Sequence, residues 1–107
     1  MEIDNIDLMD AFGNPAMIPG PDKEPTQLSL FTAARTVLWN MPVGDLTMGD
    51  SEMARNVLQG MRSAEQNGNV WTPDDELLRW TINKIRTHAP KVFGINAVCV
   101  LEGFNQA

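Results

Sequence analysis

Side chains able to do covalent chemistry are few. Cys99 and His88 are the whole supply of thiol and imidazole in 107 residues. A nucleophile–base pair would have to be Cys99, or a serine, with His88. Cys99 stands in the run Ala97-Val98-Cys99-Val100-Leu101, where apolar surroundings disfavour the thiolate, so it is expected to be buried and unreactive. His88 comes after Lys84 and Arg86 at the expected end of a helix, where a cation complements the negative end of the dipole. A single cysteine excludes an internal disulfide and a cysteine-based zinc site within one chain. Asp74, Asp75 and Glu76 are contiguous and point around a helix, so they do not converge on one ion. Gly44, Gly49 and Gly60 are scattered and lack the lysine of a phosphate loop. No catalytic, cofactor-binding or metal-binding residue is assigned. The chain is expected not to be an enzyme and to need no cofactor.

Binding chemistry is better supplied. Arg79, Lys84, Arg86, His88 and Lys91, interleaved with Trp80, make the one local positive patch and could meet phosphates. Compensation of a helix C-terminus explains the same residues. Fourteen acids against eight Lys and Arg leave a net charge of −6, which disfavours nucleic acid and an anionic membrane as partners. All of that excess lies in residues 1–50, which hold eight acids and two bases. Asp4, Asp7 and Asp10 with Phe12 form an acidic strip with an aromatic tip, suited to a basic protein surface. Trp80 falls outside the inward stripe of its helix and is expected to be a half-exposed anchor. These five residues are the candidate partner-binding set. No apolar run approaches the roughly 20 residues of a membrane span. The acidic start MEIDNIDLMD is unlike a basic signal peptide, so a cytoplasmic location is expected.

The elements that must hold these residues are mostly helical. Ile6 and Leu8 alternate with Asp7 and Met9, Phe12-Gly13-Asn14-Pro15 has turn chemistry, and Ala16-Met17-Ile18 returns, which reads as a β-hairpin. Three prolines between Pro19 and Pro25 read as a link. Ser29 caps a helix over about 29–41 with apolar positions 30, 34, 37, 38 and 41. A second runs over about 51–67 on Ala54, Val57, Leu58, Met61 and Ala64. A third, over about 73–88, starts with Thr72 as cap and Pro73 in the first position, and turns Leu77, Leu78, Thr81, Ile82 and Ile85 inward. Lys91–Gly103 is apolar nearly all round and is expected to be the central helix, with Gly94 and Ala97 allowing close approach. Its β-branched residues leave a buried strand as the competing reading. The fold class is mainly α: a helical domain of about four helices over 26–107, with a hairpin arm and Pro-rich link over 1–25. Removing residues 1–24 is expected to leave the helices folded.

This order of elements resembles a group of small proteins of tailed bacteriophages and prophages. The corresponding stretches are the Asp-x-x-Gly-x-Pro turn of Asp10–Pro15, Leu28–Met41, Gly49–Met61, Thr72–Ile85 and Lys91–Gly103. The resemblance implies a phage-encoded, non-enzymatic interaction protein. The expected function is a virion component, or a virion or tail assembly factor, that binds itself or a phage structural protein in the host cytoplasm or in the virion. The alternative is a host-directed inhibitor of the anti-CRISPR or anti-restriction kind, whose acidic surface engages a host defence protein.

Overall fold

The Ser29 hydroxyl accepts the Thr32 N–H at 3.3 Å and opens helix α1 (Leu30–Trp39) at the expected place. The computed structural model describes residues 2–10, 12–19, 25–42, 44 and 46–104. Leu30, Phe31, Ala33, Ala34 and Val37 are wholly buried, so α1 is the central helix and the molecule is mainly helical. Helix α2 (Met48–Gln66) starts three residues early relative to Ser51 because Thr47 is its cap. The Thr47 hydroxyl accepts the Asp50 N–H and the Asp50 carboxylate accepts the Thr47 N–H, a reciprocal pair that satisfies two helix-start donors. Val57, Met61 and Ala64 carry its buried stripe.

Helix α3 (Asp75–Phe93) departs from expectation at both ends. Its cap is Asp74 rather than Thr72, and the carboxylate accepts the Leu77 N–H at 2.8 Å. At the other end α3 runs through Pro90 to Phe93. The proline removes one N–H and frees one carbonyl, that of Arg86; Pro90 and Arg86 are both exposed, so that carbonyl lies on the solvated side. The terminator is Gly94, at φ +58°, a conformation that glycine adopts readily. A 3-10 turn (Gly94–Asn96) follows, then helix α4 (Ala97–Phe104). The closing segment is therefore helical but shorter than Lys91–Gly103, and it is not central. It packs on α3 and α1 with Ala97, Val100, Gly103 and Phe104 while Val98 stays exposed. Close approach falls to Gly103, where an added Cβ would meet Leu30 Cδ1 at 2.6 Å.

The extended segments do not form a free arm. Strand β1 (Ile3–Asp4) pairs antiparallel with β4 (Val70–Trp71), the link between α2 and α3, with Ile3 opposite Trp71. Met9 bridges Pro15 across the expected turn. The return strand β2 (Met17–Pro19) then pairs with β3 (Pro25–Gln27), so the flanks of the supposed link are themselves a ladder. Its middle, residues 20–24, lies outside the described residues. Backbone bonds from Leu8 N to Leu28 O, Leu28 N to Ala16 O and Ala16 N to Leu8 O close a ring over three segments. Ile3 and Leu8 are buried in the same cluster as α1, α2 and α3. The N-terminal segment thus shares the core of the helices.

Two outcomes follow from this packing. Leu8→Ala is expected to cost about 2–4 kcal/mol in a urea melt, and removal of residues 1–24 to abolish the cooperative helical transition. A truncated chain that melts like the full one would show the arm to be dispensable. Gly60→Ala is expected to lower the melting temperature, although alanine favours helix by roughly 1 kcal/mol. An added Cβ would sit 2.6 Å from Trp71 Nε1, whose ring is buried, and overpacking costs about 1–3 kcal/mol. An unchanged or raised melting temperature would contradict the close packing of α2 on β4.

Candidate functional site

The face of α1 opposite its buried stripe carries Thr32, Arg35, Thr36 and Trp39, spaced three and four apart. With Asn40, and with Leu58 and Arg62 of α2, they line a groove of about 440 Å³. Trp39 stands at its edge with 81% of its surface exposed. Arg35 is held by an ion pair to Glu65 and a hydrogen bond from Nη2 to the Thr32 hydroxyl. Arg62 is exposed and no described carboxylate pairs with it. None of these residues stood in the expected partner-binding set. The signal was present in the spacing 32, 35, 36, 39, which is a second helical stripe a half-turn from the apolar one.

The hairpin turn presents the other exposed aromatic. Asp10 builds the turn: its carboxylate accepts the Phe12 and Asn14 N–H groups at 2.9 and 3.0 Å. Gly13 takes φ +83°, and Phe12 projects with 85% of its surface exposed. Asp4 and Asp7 are exposed on the segment leading to this turn, and Asp10 is half-buried within it. Between this hairpin and α4 lies a second groove of about 230 Å³, lined in part by Met9, Met17, Phe93 and Cys99. Cys99 is half-buried on that groove, because only one face of α4 is covered. It is not sealed in the core as its apolar neighbours imply.

Trp80 is separate from both surfaces and is not a free anchor. It is half-buried, and its Nε1 donates to Asp50 Oδ1 at 3.0 Å. Lys84 Nζ lies 3.6 Å from Asp50 Oδ2 and 6.0 Å from the Trp80 ring centroid. The positive patch divides accordingly: Lys84 is engaged with Asp50, and His88 is buried in the C-terminal part of the prolonged α3. Arg79, Arg86 and Lys91 are exposed. Asp50 is the residue that sequence reasoning passed over, as it looks like a helix-start acid and nothing more.

No family model matches the chain, and no curated protein or solved structure is detectably similar to it. Among the described residues no three His, Cys, Asp or Glu side chains are grouped to hold a metal ion, and no helix is long and apolar enough to cross a membrane.

The Trp80 hydrogen bond, then the Thr47 N–H and the charge of Lys84, hold Asp50 at about 2, below its ordinary 3.8, against the opposing effect of burial. A carboxyl whose pKa is depressed in the folded state adds stability above the unfolded value, and that stability is lost as pH falls through the folded one. Asp50→Asn is therefore expected to be less stable than the parent near neutral pH, with the gap closing as pH falls from 3.8 toward about 2. Thermal melts at stepped pH measure it; a gap independent of pH would refute the assignment.

Proposed function

We propose that this chain is a non-enzymatic protein-interaction protein of a tailed bacteriophage or prophage. Its role is that of a virion component, or of a virion or tail assembly factor, and it works in the host cytoplasm or within the particle. The observation that carries the reading is a pair of exposed aromatics, Phe12 and Trp39, in a chain whose other aromatics, Phe31, Trp71, Trp80, Phe93 and Phe104, are buried or half-buried. Exposed aromatics held on ordered backbone are the usual anchors of protein interfaces. Phe12 sits on a turn tied by four hydrogen bonds, two to the Asp10 carboxylate and two between backbone groups. Trp39 ends a helix whose opposite face is buried. The order of elements described for small phage proteins supports the setting.

The second reading is a host-directed inhibitor, and the exposed Asp4 and Asp7 on the segment leading to Phe12 favour it. An acidic strip with an aromatic tip suits the basic surface of a host defence protein.

Mass spectrometry of purified particles, with affinity capture on the tagged full chain from infected cells, tests the proposal. Recovery in particles in fixed ratio to a structural protein is the expected result. Absence from particles together with co-purification of a host nuclease complex would overturn it in favour of the inhibitor.

A further inference from the structure

We infer that the groove of Arg35, Trp39, Leu58 and Arg62 receives the Phe12 loop of a second copy of this chain. The inference rests on the interaction reading above and names the partner. Three features of the groove and the loop match. The surface open in the groove is mainly apolar and includes the Trp39 indole, against which a phenyl ring can stack or meet edge to face. Its uncompensated charge is basic: Arg62 lines it unpaired by any described carboxylate, and Arg55 is exposed about two turns earlier on the Arg55–Leu58–Arg62 stripe. Arg35 and Glu65 neutralise each other in their ion pair. The loop brings the opposite sign, since Phe12 is preceded by exposed Asp4 and Asp7 and by the Asp10 carboxylate that shapes the turn. In a chain with net charge −6, an acidic loop can approach few surfaces without repulsion, and this arginine-lined groove is one of them.

The loop does not sit in the groove of its own chain, where Phe12 and Trp39 are both exposed. Asp7 bridges Ser29 in antiparallel sense, so the strand bearing Phe12 leads away from the start of α1. Trp39 lies at the far end of the same helix, about 15 Å further on for ten residues. Each copy therefore offers one loop and one groove at different places, a head-to-tail contact that propagates into a ring or an open chain. The turn is already formed in the single chain, so docking orders little new backbone.

Sedimentation velocity on the full-length purified chain reads this directly. The sedimenting mass is expected to rise with protein concentration and to rise less at high salt. Phe12→Ala and Trp39→Ala, both at exposed positions, are each expected to weaken association about tenfold or more while leaving the circular dichroism spectrum unchanged. The decisive sample is an equal mixture of the two variants. Phe12→Ala keeps the groove and Trp39→Ala keeps the loop, so together they form a two-chain species and nothing larger. A wild-type chain that sediments as a single species at all concentrations overturns the inference. So do variants that associate like the parent, or a mixture that stays single-chained. The wider reading is judged in particles and captured complexes, so a chain monomeric in solution but present in virions sinks this inference alone.

Discussion

Helix α1 is enclosed along most of its length, and its first N–H groups have no carbonyl one turn back to bond. Buried donors left unpaired would cost several kcal/mol in total, at roughly 1–3 kcal/mol each. The Leu30 N–H donates to Ile6 O at 2.8 Å, and the Phe31 N–H donates to Asn5 Oδ1 at 3.0 Å. Only the third, that of Thr32, is met by the local cap Ser29. The central helix therefore starts properly only when residues 5 and 6 are in place. Asn5 is itself held from the other side, where its N–H donates to Asn69 O at 2.9 Å in the turn after α2. One short extended segment ties the start of α1 to the turn between α2 and α3.

Much of the rest depends on that tie. It sets Ile3 opposite Trp71, and Trp71 in turn packs on Gly60 so closely that no side chain fits there. It also fixes where the hairpin leaves the body, and hence where Phe12 is presented. At its other end α1 is not enclosed, and Trp39 emerges beside α2. Trp39 thus belongs to the helix whose start this tie completes, and Phe12 to the hairpin that the same segment leads into. Rigid presentation of an anchor lowers the ordering cost of binding, which links the buried polar contacts to the exposed apolar ones.

Asp50 shows the same economy at the α2–α3 contact. One carboxylate completes the start of α2 through Thr47, accepts the Trp80 N–H and attracts Lys84. A residue that reads as a surface acid is in fact a junction between two helices. Its three partners explain both the low ionisation and the loss of Trp80 as a free anchor.

The helices themselves were legible in the sequence, because helix formation is governed by groups within four residues of one another. Ser29 as cap, the stripe 30, 34, 37, 38 and 41, and the stripe of Val57, Met61 and Ala64 all stand where periodicity and capping chemistry put them. The hairpin turn at Asp10–Pro15 was legible for the same reason. What the tertiary structure decided is which surfaces are covered, since that depends on groups far away along the chain. Trp80 and Trp39 look alike locally, each on the flank of an amphipathic helix. A carboxylate 30 residues distant claims Trp80, whereas nothing among the described residues covers Trp39, and it stays 81% exposed. Pro90 reads as a boundary, yet α3 continues through it because the carbonyl it frees faces solvent. The N-terminal segment reads as an arm, yet it is core, because its acceptors meet donors 24 and 26 residues later, at Leu30 and Phe31. Local pattern specifies the elements; the pairing of distant polar groups decides which of their faces the protein leaves open.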